Sequence, residues 1–524
     1  MPRRIPQAAM SDPDTTNPNV FLVGAGPGNP GLLTLRAAEV LGRAELVVYD
    51  QLVPERLLEL APASSEKVCV RDLPGQHPDK YPHIYRIIIE AARVGKTVVR
   101  LKGGDPLIFG RGGEEAEALR SAGVVYEIVP GVTAALAAGA FLEIPLTHRN
   151  YASAIALVTG HEPPNKPGNK LDWKALAAFP GTLAIYMGIA KLPTIVAELL
   201  KYGKDSDTPA AIVERASCGE QRAIYATLDT LEATRRSAGL EAPGLILVGE
   251  AVAQRPKRPW SEARPLFGRR VLVTRPTHQA SGMVHKLETL GAVVSRLSAI
   301  EIREPADFGP LDCALNQIRD HKWDWLLFTS ANGVEALFRR LETLGRDLRD
   351  LGGIKLAAIG PKTAAALRVY HLRADVVPAT TFSSEGLVEA LKPHVMGQRL
   401  LLARANRGRE FLRDELAKVA ALVEQVCVYD QVDTVKPSPG VVDALRRGEI
   451  KYIPLPSSNI ARGILGTFDE TIRGRVERGE IRLVAISPET GKAIRDLGYP
   501  VAAEAEMFTE DGLIAAMVRL AQAE

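Results

Sequence analysis

Gly103, Gly104 and Asp105 follow the strand-like run Thr97-Val98-Val99-Arg100-Leu101-Lys102, and Phe109-Gly110-Arg111-Gly112-Gly113-Glu114-Glu115 comes soon after. Bare backbone at the carboxyl end of a strand is where an α/β sheet presents its ligand, and glycine lets that backbone come close. A fixed carboxylate among open amides suits a ligand with hydroxyls and positive charge better than a phosphate. Glu114 and Glu115 mark the first turn of a helix, where free N–H groups and the dipole favour acids. A second cluster, Gly24-Ala25-Gly26-Pro27-Gly28-Asn29-Pro30-Gly31, follows Val20-Phe21-Leu22-Val23. Asn29 stands where the last glycine of Gly-x-Gly-x-x-Gly belongs, and Pro27 and Pro30 remove N–H groups that a pyrophosphate would use. By itself this segment reads equally as a ligand loop or a structural turn, and a nicotinamide cofactor is disfavoured.

The later half offers a different chemistry. A strand, then Ser or Thr, then a helix start recurs four times, around Ser330, Thr363, Ser457 and Thr490. Hydroxyls and free helix amides hold carboxylates without committing many formal charges. Arg275, Arg404, Arg407 and Arg409 add cations near other strand ends. From the residues alone this is a polyanion-binding cleft, in which each Ser or Thr serves equally as a helix cap.

The elements that must carry these groups are short Val/Ile/Leu runs alternating with Ala/Leu/Glu/Arg stretches, the pattern of an α/β protein. At 524 residues the chain exceeds what one core supports, so several domains are expected. A formal charge of +3, spread evenly, gives no argument for nucleic acid. No apolar run reaches membrane-spanning length. The four cysteines lie far apart without metal-ligand spacing, so we expect a reduced cytoplasmic protein with neither disulfides nor a metal site. Residues 1–18 read as a disordered tail.

A Pro- and Arg-rich stretch, 254–267, reads as a linker between units at 19–253 and 268–524. The second unit repeats itself: Ala358-Ile359-Gly360-Pro361-Lys362-Thr363 recurs as Ala485-Ile486-Ser487-Pro488-Glu489-Thr490, and Ser330-Ala331-Asn332 as Ser457-Ser458-Asn459, each 127 residues later. Ser384-Glu385-Gly386-Leu387 is echoed by Glu510-Asp511-Gly512-Leu513. Two similar lobes facing a cleft are expected, one from about 268–300 with 433–524 and the other from 303–428.

Taken in order, GAGPGNPGLLT (24–34), VVYD (47–50), RLKGGDPLIFGRGGEE (100–115), VPGVTAA (129–135), PLTHR (145–149), VTGHE (158–162), YMG (186–188) and TPAAIVERAS (208–217) make the first unit resemble the uroporphyrinogen-III C-methyltransferases of the tetrapyrrole methylase family. The resemblance implies two α/β lobes, a homodimer, and S-adenosyl-L-methionine as co-substrate in the cleft between the lobes. It implies cofactor contacts from Pro27, Gly103, Gly104, Asp105, Ile108, Thr133, Ala134, Met187 and Ala216, and a proton acceptor at Asp50. Such a base is chemically required, because a carbon nucleophile that is alkylated must lose a proton. Where the family shows Gly-Lys-Arg this chain has Val70-Arg71-Asp72-Leu73, with Asp72 by register at the place of the family's lysine proton donor, and Arg71 beside it is left to bind acetate groups. Arg149 and His161 are further candidates for substrate carboxylates.

FTSANGV (328–334), AAIGPKTAAAL (357–367), ATTFSSEGL (379–387) and VEQVCVYDQV (423–432) make the second unit resemble uroporphyrinogen-III synthase. This implies two lobes on a two-stranded hinge, completed by the chain's return from Tyr429 to Thr434. It also implies closure of hydroxymethylbilane with loss of water. Tyr429 matches the family's candidate acid, and Ser330, Thr363, Ser457 and Thr490 would position carboxylates. The expected fold class is therefore α/β, a two-lobed tetrapyrrole methylase fold followed by a two-lobed, internally repeated synthase fold. The expected enzyme makes uroporphyrinogen III and methylates it twice to precorrin-2, feeding sirohaem or cobalamin, with no dehydrogenase or chelatase step. Two alternatives stay open: a methyltransferase for another corrin intermediate, and a second unit that only binds tetrapyrrole, for which Leu455 and Pro456 in place of Phe328 and Thr329 are the argument.

Overall fold

The computed structural model describes residues 17–75, 80–161, 171–275, 277–297, 300–408, 410–433 and 439–524. Most of the expected tail, Glu162, Arg409 and the hinge residue Thr434 lie outside the described residues. The chain divides into two compact units, Met1–Arg269 with Lys286–Val293, and Arg270–His285 with Val294–Glu524.

In the first unit, β1 (Val20–Gly24), β2 (Leu46–Tyr49), β3 (Glu66–Cys69), β4 (Val98–Lys102) and β5 (Tyr126–Val129) form a parallel sheet ordered β3-β2-β4-β1-β5. β1 and β4 are buried at every position, as central strands covered on both faces must be. One face packs Val23, Val47 and Leu101 against the helix Leu35–Leu41, which starts where Thr34 Oγ1 accepts a hydrogen bond from Ala37 N at 3.2 Å. The other packs Leu22, Val48 and Val98 against Ile84, Ile88, Ala116 and Leu119 of two further helices. Because β1 and β4 are neighbours running in the same direction, the two glycine clusters leave the sheet side by side.

A second lobe is built from β6 (Ile155–Thr159), β7 (Thr182–Tyr186), β8 (Pro209–Glu214), β9 (Arg222–Thr227) and β10 (Gly244–Val248), ordered β6-β7-β10-β8-β9. Only β6 and β7 are parallel; the other pairings are antiparallel. The stretch 254–267 is not a loose connection. The Trp260 ring lies 5.0 Å from that of Phe141 and donates to Ala140 O, while buried Ser261 donates to Phe141 O at 2.5 Å. Its prolines and charges suggested a solvated linker, but one indole and one hydroxyl are enough to fasten it to the helix Ala134–Leu142.

The second unit holds two five-stranded sheets. The first contains β11 (Arg270–Val273), β12 (Val293–Arg296), β18 (Ile450–Leu455), β19 (Arg482–Ala485) and β20 (Ala503–Glu504), ordered β12-β11-β18-β19-β20. The other contains β13 (Ile300–Arg303), β14 (Trp325–Phe328), β15 (Lys355–Ala358), β16 (Arg399–Ala405) and β17 (Leu422–Asp433), ordered β13-β17-β16-β14-β15. The internal repeat persists in the pairing itself. Leu327 faces Ala357 across β14 and β15, and the residues 127 further on, Pro454 and Val484, face each other across β18 and β19. Gly386 and Gly512 repeat a steric demand as well: a Cβ on either would run into the carbonyl five residues earlier, Thr381 O or Met507 O. Among the described residues no helix is long and apolar enough to cross a membrane.

Candidate functional site

Three loops meet at the carboxyl ends of β1, β4 and β5. Gly26 N donates to Gly104 O at 3.1 Å, Gly104 N to Gly26 O at 2.8 Å, and Ala25 N to Lys102 O at 2.7 Å. Gly131 closes the junction: a Cβ there would clash with Gly104 O and with the backbone of Gly24. Asp105 ties the loops together, Oδ1 accepting from Leu107 N at 2.8 Å and Oδ2 from Gly131 N at 3.1 Å. It was expected to face the ligand; here it also braces the loop, while an ionised carboxylate keeps lone pairs to spare. Gly103 is the opposite case, exposed and with nothing within 4 Å of where a side chain would begin. That bare face leaves the Gly103 backbone open to approach from solvent.

Two loops of the second lobe complete the ring. The Tyr186 hydroxyl lies 2.7 Å from Thr133 Oγ1 and accepts from Ala135 N at 3.0 Å, capping a helix that Thr133 itself does not cap. The Tyr186 ring packs 4.9 Å from that of Phe109. Burial pushes the Tyr186 phenol up, opposed by its bonds to Thr133 and Ala135. Asn29 Nδ2 donates to Ser217 O at 3.1 Å, joining the loop of Pro27 to that of Ala216. Phe109, Arg111, Met187, Arg215 and Ser217 all hold positive φ, between 47° and 77°. Such backbone costs energy at each residue and persists only where the surroundings enforce it, as they do around ligand sites. Met187 and Leu107 leave half or more of their surface to solvent, an apolar rim beside the open glycine face. The structure thus gathers Pro27, Gly103, Gly104, Asp105, Ile108, Thr133, Ala134, Met187 and Ala216 onto five loops in mutual contact.

Asp50 follows β2 and joins this group through its N–H, which donates to Leu101 O at 3.1 Å. Its Oδ1 accepts from Arg100 Nη2 at 2.5 Å. Behind it lies an ion cluster that motif reading missed: Arg100 Nε and Lys102 Nζ both donate to Glu115 Oε1, at 3.0 and 2.8 Å. All three are buried. Burial and the neighbouring Arg100 charge hold the Lys102 ammonium below the ordinary lysine range, against the pull of Glu115. Glu115, expected as a dipole-matching acid of the first helical turn, points into the interior instead. A signal did exist: two cations flanking Leu101 in an otherwise apolar strand fall on one face and need a buried partner.

The expected substrate contacts are dispersed. Arg71 is exposed and pairs with Asp72 at 3.3 Å, in a turn where Lys80 Nζ also donates to Val70 O at 3.3 Å. Arg149 and His161 are exposed, and His161 N donates to Thr159 Oγ1.

In the second unit, Tyr429 is almost fully buried on β17, its hydroxyl 3.1 Å from Ser330 Oγ and accepting from Gln431 Nε2 at 3.4 Å. Ser330 and Ser457 cap their helices, accepting from Gly333 N and Ile460 N. Thr363 and Thr490 are buried within the first helical turn, so neither hydroxyl faces solvent. The residue that caps the helix at Thr490 is Ser487, and Gly360 holds the same place before Thr363 without a side-chain cap. The cations are also engaged: Arg275 Nη1 donates to Glu510 Oε1 at 2.7 Å, and Arg404 Nη1 to Gln425 Oε1 at 2.5 Å. A buried phenol between a serine and a glutamine, beside amide-rich helix starts, suits acid assistance to a polyanionic substrate.

Residues 19–232 match the family of Tetrapyrrole (Corrin/Porphyrin) Methylases, and residues 281–515 match Uroporphyrinogen-III synthase HemD. The Porphyrin biosynthesis protein HemD of Ruminiclostridium josui is 34% identical over 500 residues, covering 94% of this chain and 96% of that one. The S-adenosyl-L-methionine-dependent uroporphyrinogen III methyltransferase of Methanosarcina barkeri is 45% identical over 233 residues, 44% of this chain and 91% of its own. A solved Thermus thermophilus uroporphyrin-III C-methyl transferase, complexed with S-adenyl homocysteine, shares 44% identity with a TM-score of 0.39, over 45% of this chain and 99% of that one. Similarity through both units defines the class, a bifunctional enzyme of tetrapyrrole biosynthesis. The chain belongs to the tetrapyrrole methylase family in its first unit and to the uroporphyrinogen-III synthase family in its second.

Proposed function

We propose that the second unit closes hydroxymethylbilane to uroporphyrinogen III, with loss of water and inversion of the last pyrrole ring, and that the first methylates this product twice to precorrin-2. The observation that carries the reading is the placement of Asp50, its N–H bonded to the strand that ends in the open Gly103 face. S-adenosyl-L-methionine, when bound, supplies an electrophilic methyl group. The open glycine backbone and Asp105, Ile108, Thr133, Ala134, Pro27, Met187 and Ala216 hold it, and alignment supplies most of the acceleration. Asp50 accepts the proton that the alkylated ring carbon must shed. Arg71, Arg149 and His161 receive substrate carboxylates, and the unit acts as a homodimer.

In the second unit Tyr429 protonates the departing hydroxyl, with Ser330 and Gln431 holding the phenol. The helix starts at Ser330, Thr363, Ser457 and Thr490 offer backbone amides to the acetate and propionate groups. The test is to supply hydroxymethylbilane and S-adenosyl-L-methionine to the whole chain and identify the product. The inverted isomer with two added methyl groups is expected. An uninverted ring, or an inverted ring without added methyls, would overturn the assignment of one unit or the other.

A further inference from the structure

Arg100 sits in mid-strand, in register with Leu22 of β1 and Val48 of β2, and is 2% exposed. Every guanidinium nitrogen is used. Nε donates to Glu115 Oε1, Nη1 to Leu101 O at 3.2 Å and Val48 O at 3.4 Å, and Nη2 to Asp50 Oδ1. Only the last of these partners reaches solvent, the Asp50 side chain being one-third exposed and that of Glu115 1%. Lys102 lies two residues along the same strand face and binds the same Glu115 oxygen, leaving Glu115 Oε2 buried without a partner.

Four charges of alternating sign therefore run from the interior to Asp50. For stability alone the arrangement is a poor choice, because apolar residues of similar volume commonly serve as well and an unpartnered carboxylate oxygen is costly. What the cluster delivers is geometry. With Nε and Nη1 held from behind, the guanidinium cannot rotate, so Nη2 fixes Asp50 by one oxygen. Asp50 Oδ2 takes no bond from the described residues.

We propose that Arg100 is the positioning residue for methyl transfer, locked by Glu115 and Lys102 so that Asp50 presents its second oxygen to the proton leaving the substrate carbon. The proposal rests on Asp50 being the proton acceptor. No proton moves through the cluster: it passes from carbon to Asp50, and the guanidinium remains charged throughout.

The test uses the full chain carrying Asp50→Asn, Arg100→Ala, Arg100→Lys, Glu115→Gln and the Asp50→Asn/Arg100→Ala pair. Methylation of uroporphyrinogen III gives kcat and KM, calorimetry gives S-adenosylhomocysteine affinity, and thermal melting checks folding. We expect Asp50→Asn and Arg100→Ala each to lower kcat about a hundredfold, with KM and by-product affinity little changed. The double variant should be no slower than Asp50→Asn alone, because the two residues act as a unit. Guanidinium ion should restore Arg100→Ala and leave Asp50→Asn inactive. Arg100→Lys, which keeps charge but loses the fork, should stay about tenfold slow. An Arg100→Ala enzyme with normal kcat beside an inactive Asp50→Asn would overturn this proposal alone, as would losses that add in the double variant. A fully active Asp50→Asn would overturn the base assignment and this proposal with it. Should Arg100→Ala fail to fold, Arg100→Lys and Glu115→Gln decide the matter: normal kcat in both would overturn the proposal.

Discussion

In the first unit the polar groups of the site are held by residues far away in the chain. Asp50 is held by Arg100, Thr133 by Tyr186, Gly131 by Asp105 and Asn29 by Ser217. In the second unit the hydroxyls at the helix starts are held mainly by their own helices: Ser330, Ser457, Ser487, Ser383 and Thr509 each cap the N–H three residues on, with Ser330 also reaching Tyr429 across the fold. The difference teaches how each site tolerates change. A cap is interchangeable among Ser, Thr, Asp and Asn, and even Gly serves, as Gly360 does opposite Ser487. A site made of local caps therefore keeps its shape while its sequence drifts. A site made of tertiary contacts does not, because each group needs one partner at one distance.

The contrast can be broken first at Asp50. Asp50→Asn should reduce methyl transfer about a hundredfold, the lower end of the usual range for a lost general base, and leave ring closure unchanged. Both products measured in one preparation check this; equal loss of both would show that the two chemistries are not separable. A pair of glycine substitutions sharpens the first site. Gly131→Ala drives a Cβ into the backbone of Gly104 and Gly24, so we expect about 1–3 kcal/mol of destabilisation by chemical melting. Gly103→Ala meets open space, so it should melt like the unaltered chain yet bind S-adenosylhomocysteine at least about tenfold more weakly, read by calorimetry.

Smaller effects are expected in the second unit. Tyr429→Phe removes one hydroxyl bonded to Ser330 and Gln431, and should slow ring closure about tenfold in a coupled assay with the isomer unchanged. Ser457→Ala should cost about 1 kcal/mol of stability, the value of a cap. Ser457→Asp keeps the cap but adds a negative charge, so stability should hold while KM for the bilane rises. If Ser457→Asp leaves KM unaltered, Ser457 is a cap and no more.

The sequence was a good guide where the governing physics is local. Apolar runs located β1 and β4, Thr34 marked its helix start, and the two glycine clusters marked the loops that meet. The repeat also survived from motif to strand register. It was a poor guide where side chains find partners across the fold. Arg100 and Lys102 stand out in an apolar strand, but nothing in their spacing names Glu115 or Asp50. Thr363 and Thr490 read as hydroxyls that position carboxylates, and both are buried. Trp260 looks like part of a solvated linker and docks on Phe141.

The chain's order of strands, turns and caps, and the doubling of its second unit, were set by periodicity and by residues acting within a few positions of themselves. Backbone hydrogen bonding and steric preference make such features local, so they are written in the sequence. Which carboxylate is anchored, which hydroxyl is buried and which glycine faces open space were decided by packing. Those outcomes depend on distances between residues that only the parallel sheet brings together.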